Sequence, residues 1–218
     1  MSSEQTTTKL QFSTSQVFGE AWQILKAKWT FLLGVWAVIF GVSFVGEILR
    51  SAAAEQGGIL PAFISLAIQV LSLILTIGSV KVVLKVVRGE TADIAELFKD
   101  NVQFIWQYFL LSLVMSLIVI FGLILLIVPG VIWSLKYMFA PYALIDEKLS
   151  FSDAMAKSDE MTRGIKWQLF GFTLATIGLN LLGLLALGLG LIVTIPVSTL
   201  AGYVLYETLK KQLVVQKA

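Results

Sequence analysis

Six long apolar stretches, parted by short polar or Gly/Pro-containing interruptions, set the plan of the chain: residues 29–49, 59–80, 104–128, 131–145, 167–187 and 191–206. A hydrocarbon core of about 30 Å takes about 20 apolar residues at about 1.5 Å per residue. The pattern therefore predicts six transmembrane helices, of which the fourth is the shortest. Ahead of each odd-numbered span lies a segment with a bulky apolar residue, any residue, an acid and then Ala or Leu: Phe18-Gly19-Glu20-Ala21, Ile94-Ala95-Glu96-Leu97 and Phe151-Ser152-Asp153-Ala154. Each then reaches a tryptophan, Trp29, Trp106 or Trp167.

In the first segment Val17, Phe18, Ala21, Trp22, Leu25 and Trp29 share one helix face. In the third, Phe151, Ala154, Met155, Ser158, Thr162 and Ile165 do the same, with Ser150 and Asp153 placed as a capping-box variant. The expected fold is thus an all-α, polytopic membrane helical bundle: six transmembrane helices plus three amphipathic helices on the cytoplasmic side, in a threefold pseudo-repeat over residues 17–90, 91–150 and 151–210. Repeats of one sense would be related by an axis along the membrane normal. Residues 1–16 are read as a disordered polar tail, and 17–218 as a single membrane domain. The even-numbered spans carry or adjoin helix-breaking elements at Ile77-Gly78, Val128-Pro129-Gly130 and Ile195-Pro196.

The basic residues fix the expected orientation, because Lys and Arg are retained on the cytoplasmic side. Lys9, Lys26 and Lys28 precede the first span; Lys81, Lys85, Arg88 and Lys99 lie between the second and third; Lys148, Lys157, Arg163 and Lys166 between the fourth and fifth; Lys210, Lys211 and Lys217 follow the sixth. Fourteen of the 16 basic residues therefore share one side, with Arg50 opposite and Lys136 inside the fourth span. Both termini are expected in the cytoplasm, and Trp22, Trp29, Trp106 and Trp167 are placed as interfacial anchors. The outer turns at Val128-Pro129-Gly130 and Gly188-Leu189-Gly190 carry no charge, so only the stretch from Arg50 to Gly58 has the composition of a solvated outer loop.

Composition agrees with the pattern and narrows the chemistry. Hydrophobic residues make up 57% of the chain and charged residues 14%, against about 45–50% and 25% in soluble domains; mean hydropathy is +0.87. With no Cys and no His, disulfide scaffolds, thiol nucleophiles, imidazole catalysis and the usual structural-zinc ligand sets are excluded. A net charge of +2 is too small to point to nucleic acid. No phosphate loop, dinucleotide fingerprint or zincin motif occurs, and neither a cofactor nor enzymatic activity is expected.

Several intramembrane residues have two readings. Burying Lys136 costs about 2.5–3.5 kcal/mol at the bilayer centre; it either snorkels or pairs with Glu47, or it contacts a substrate, ion or lipid headgroup. Gln69, Ser72, Thr76 and Ser79 form a polar stripe on the second span, and Asn180 adds a polar group to the fifth; such groups either bond neighbouring helices or line a pathway. Gly171, Ala175 and Gly178 fall on one face and would permit close helix approach. Asp146, Glu147, Asp153, Asp159 and Glu160, interspersed with Lys148, Lys157, Arg163 and Lys166, read as ordinary charge pairs of a solvated helix. The basic excess sets topology and could hold anionic headgroups at about 1 kcal/mol per residue.

The run from Ala154 to Phe170, Pro129-Gly130 with Leu135-Lys136-Tyr137, and Ile195-Pro196 followed by Tyr203-Val204-Leu205-Tyr206 resemble a bacterial integral-membrane family of unknown function. That family is related to YciC-like proteins and to the membrane domain attached to some glycerophosphodiester phosphodiesterases. The resemblance implies architecture without a reaction. The functional expectation is a non-enzymatic inner-membrane protein that contacts lipid as a scaffold or accessory subunit, with membrane lipids and a membrane protein as partners. The alternative is a small-solute permease or channel, and third an intramembrane enzyme acting on lipid.

Overall fold

Apolar side chains cover the outside of the long helices rather than their inside: Phe40, Phe44, Phe63, Leu66, Leu181 and Leu185 are all exposed. A computed structural model describes residues 10–55, 59–99, 101–125 and 127–217, and every element in it is helical: α1 (Thr14–Ala27), α2 (Trp29–Ala54), α3 (Leu60–Val87), a 3-10 turn (Ile94–Leu97), α4 (Val102–Leu125), α5 (Ile127–Tyr137), α6 (Ala140–Asp146), α7 (Phe151–Thr162), α8 (Lys166–Leu185) and α9 (Leu191–Lys217). Among the described residues, five stretches are long and apolar enough to cross a membrane: Trp29–Ala54, Leu60–Val87, Val102–Gly122, Lys166–Leu185 and Leu191–Gln216. The chain is a multi-pass membrane protein on that basis.

The fourth expected span differs from the pattern. Residues 131–145 fall partly in α5 and partly in α6, of 11 and 7 residues, and neither alone reaches across about 30 Å. Pro129 and Gly130 lie inside the first turn of α5 rather than in the connection before it; a first-turn proline removes an N–H that has no helical partner anyway. The chain divides into two units, Lys26–Trp106 and Met1–Leu25 with Gln107–Ala218.

In the unit Lys26–Trp106, α2 and α3 pack around Val35, Leu75, Val82 and Leu97. The segment read as a second amphipathic helix is instead the four-residue turn Ile94–Leu97, started by Asp93, whose carboxylate accepts from Ala95 N. It docks on α3 at Gly78, where a Cβ would run into the Leu97 backbone. Gly78 therefore breaks nothing: α3 runs through it, and its missing side chain is what lets the turn sit down. Asn101, fully buried, locks the seat by donating to Ile74 O at 3.1 Å and Leu97 O at 2.6 Å while accepting from Lys81 at 2.8 Å. Gly78→Ala is expected to cost about 2 kcal/mol by overpacking, read as a lower thermal midpoint in detergent; an unchanged midpoint would show that the turn can lift at no cost.

In the other unit the described chain is packed from Leu10 onward. Residues 1–9 of the expected tail lie outside the described residues, but Leu10 is buried, Phe12 meets Phe172 edge-on and α1 begins at Thr14. Val17, Ala21 and Leu25 of α1 are buried by protein, Phe18 stacks on Phe172 of α8 at 5.4 Å, and Gln11 exchanges two hydrogen bonds with Gln212 of α9. The helices α8 and α9 form a hairpin that turns at Gly188, whose φ of +76° suits glycine, and its arms touch where Gly183 meets Gly190. Pro196 lies inside α9, which continues through it.

Candidate functional site

A break in a helix strands polar backbone, and the break between α5 and α6 leaves the carbonyl of Lys136 and the N–H of Phe139 to be satisfied from elsewhere. Ser158 of α7 serves both: its Oγ donates to Lys136 O at 2.8 Å and accepts from Phe139 N at 3.2 Å. Thr162, one turn on, also donates toward Lys136 O, at 3.2 Å. Both hydroxyl residues are fully buried. Between them Asp159 faces Lys136, with Nζ at 3.4 Å, and the ammonium lies 5.0 Å from the Tyr137 ring centroid. Lys136 is thus tied to α7 by main chain and side chain together.

At the other end of α6 the charges are inward. The Asp146 side chain is only 6% exposed; its Oδ2 accepts from the Tyr206 hydroxyl at 3.0 Å and from Lys210 Nζ. Glu147 contacts Lys157 at 3.4 Å and Lys210 at 3.5 Å, and its buried Oε1 lies against the Lys210 charge without accepting a hydrogen bond. The rings of Phe139, Tyr142, Tyr203 and Tyr206 fill the space between α6 and α9, with Tyr142 and Tyr203 edge-to-face at 4.7 Å. The result is a charge-paired cap joining α6, α7 and α9. Its carboxylates face the ammonium groups of Lys157 and Lys210 and the Tyr206 hydroxyl, and no group of three or more His, Cys, Asp or Glu suited to a metal occurs among the described residues.

The residues singled out in the sequence are largely scattered. Glu47 bonds Arg50 at 2.9 Å on its own helix, and Lys136 pairs with Asp159 at 3.4 Å. Exchanging the charges of Lys136 and Asp159 is expected to restore the stability that either single reversal loses. Each single loss should be about 1 kcal/mol, since both side chains keep more than a quarter of their surface exposed; a double reversal less stable than either single would rule the pair out in thermal unfolding. Gln69 is exposed on α3, while Thr76 and Ser79 donate to carbonyls of their own helix. Asn180 does bridge helices, donating to Ser198 Oγ at 3.1 Å.

Among the described residues, the small-residue face makes no close helix contact at Gly171 or Gly178. Nothing lies within 4 Å of a Cβ built on Gly171 or Gly178; close approach is supplied by Gly122 against Gly130 and Gly183 against Gly190. Trp22, Trp106 and Trp167 are exposed and Trp29 is half-buried. Sequence reading missed Asp146 with Tyr206 and Lys210, and Lys81 with Asn101. It also passed over Ser158 and Thr162, although two hydroxyls on an apolar helix face were a visible sign of a buried polar partner.

Residues 110–213 match the model of a family described as a protein of unknown function, DUF975. The matched stretch runs from α4 to near the end of α9 and takes in the whole charge-paired cap. No curated protein and no solved structure matches the chain.

Proposed function

We propose that the chain is a non-enzymatic protein of the prokaryotic inner membrane that acts as a lipid-contacting scaffold or accessory subunit. The observation that carries this reading is the pairing in the cap: its buried and half-buried charges are spent on one another, which suits a rigid docking platform better than a reaction centre. Orientation follows from the basic residues. With 14 of 16 on one side, both termini belong in the cytoplasm, which requires an even number of crossings. The broken pair α5 and α6 then serves jointly as the fourth, with the break at its cytoplasmic end, where Ser158 and Thr162 of α7 satisfy the interrupted backbone. On this topology α1, the 3-10 turn and α7 are the three cytoplasmic elements, the basic belt meets anionic headgroups, and the cap faces a membrane-protein partner.

Crosslinking in cells followed by mass spectrometry of co-purified proteins and lipids tests the platform. A recurrent partner crosslinked through cytoplasmic lysines such as Lys157 or Lys211 is expected; crosslinks confined to the chain itself would overturn it. A permease is favoured by the discontinuous α5–α6 element, since broken helices mark transport sites in other membrane proteins. Because the chain has no Cys, single cysteines at Gln69, Ser72 and Thr76 decide between the readings without background. Labelling of all three by a membrane-impermeant thiol reagent would reveal a water-filled path and remove the scaffold reading.

A further inference from the structure

Two cations converge on one carboxylate oxygen near the end of α7. Lys136 Nζ lies 3.4 Å and Arg163 Nη2 3.7 Å from Asp159 Oδ2, both beyond the roughly 2.7–2.9 Å of a closed charge-assisted hydrogen bond. The cap is paired differently: there Asp146 and Glu147 meet Lys157 and Lys210, one carboxylate for each ammonium. Here a single acid serves two cations. The flanking charges along the chain, Glu160 and Lys166, offset each other, so the group retains one positive charge. An ammonium has three donors and a guanidinium five, more than one shared oxygen can take up.

The cations are held together rather than free to disperse. Lys136 is the next-to-last residue of α5, and Ser158 and Thr162 fix its carbonyl, so the ammonium is rooted beside α7. Arg163 follows the last residue of α7, and its side chain is 77% exposed against 26% for Lys136. The group is therefore open on the Arg163 side. Its level follows from Trp167, four residues beyond Arg163 and 85% exposed, since tryptophan settles at headgroup depth. We propose that Lys136 and Arg163 together bind a phosphate group, supplied by an anionic phospholipid of the basic-side leaflet or by free phosphate. A phosphate presents separate oxygens to the ammonium and to the guanidinium fork, whereas Asp159 presents Oδ2 to both. The single negative charge of a lipid phosphate matches the charge that the group retains. Asp159 is then the competitor, holding the two cations in place until a phosphate takes them. This deepens the lipid-contacting reading above and rests on it.

The test is native mass spectrometry of the full chain in detergent after incubation with palmitoyl-oleoyl phosphatidylglycerol. A retained lipid is expected, and Arg163→Gln, at a well-exposed side chain, should lower the bound fraction about tenfold at equal lipid. Lys136→Gln should do the same. Asp159→Asn should raise retention several-fold, because it removes the competitor; a group that served only to hold α7 would give no such rise. Lys211→Gln removes the same charge from an exposed position on α9 and should leave retention unchanged. Inorganic phosphate, read by the thermal midpoint against chloride at equal ionic strength, separates the two sources. A rise that Arg163→Gln abolishes, with no lipid retained, assigns the site to free phosphate. No retained lipid together with no rise would overturn the proposal. So would retention unchanged in Arg163→Gln and Lys136→Gln, or an equal loss in Lys211→Gln, the mark of a diffuse basic surface. None of these results alters the crosslinks expected of the cytoplasmic platform, so the two readings fail separately.

Discussion

Asp146→Ala is expected to lower the stability of the folded protein by about 3 kcal/mol, the largest loss from any single side chain in the cap. Removing one member of a buried ion pair costs about 3–5 kcal/mol where it leaves the other charge without compensation, and here Lys210 keeps Glu147 at 3.5 Å. The lower end applies because Lys210 keeps a quarter of its side chain exposed and can turn toward solvent. The Tyr206 hydroxyl, on a fully buried residue, loses its acceptor in the same variant. Adding Lys210→Met should recover part of the loss, because an apolar replacement of a buried pair is close to neutral, while Glu147 gives up its Lys210 contact and keeps Lys157. Thermal unfolding in detergent reads both; if the double variant is no better than Asp146→Ala, the ion pair is not the source of the effect.

Ser158→Ala should cost about 2 kcal/mol. Its hydroxyl serves two backbone groups, but Thr162 can keep the Lys136 carbonyl, so the uncompensated group is the Phe139 N–H, and a buried donor without a partner costs about 1–3 kcal/mol. Thr162→Val should cost less, since Ser158 still holds both groups. Backbone hydrogen exchange at Phe139 separates the cases: fast exchange in Ser158→Ala with protection retained in Thr162→Val is expected. Similar protection at Phe139 in the wild type and both variants would mean that the break is held by packing alone.

These two residues also show where sequence reading reaches its end. The positions of five apolar helices and the turn at Gly188 were legible because apolar run length and glycine placement are local properties. Gly78 was visible as an anomaly but read as a breaker; only the Leu97 backbone, 19 residues on, gives its missing Cβ a purpose. The fourth span looked continuous because hydropathy is blind to hydrogen bonds. Nothing in residues 131–145 announces that a serine on α7 will take up the backbone left at an interruption. Asp146 was assigned to solvent because its neighbours in sequence are charged, whereas its partners Tyr206 and Lys210 lie 60 and 64 residues away.

The bonds between Gln11 and Gln212 span 201 residues. At about 5–20 residues per second, roughly 10–40 s of translation separate the two. During that interval α1 has left the ribosome while Phe172 and all of α9 are still unmade, and Val17, Ala21 and Leu25 have no protein to cover them. The bilayer surface beside the translocation machinery is the available shelter, with Trp22 suited to that depth. The helix that closes the finished unit is thus synthesised well before α8 and α9, the helices it is seated against.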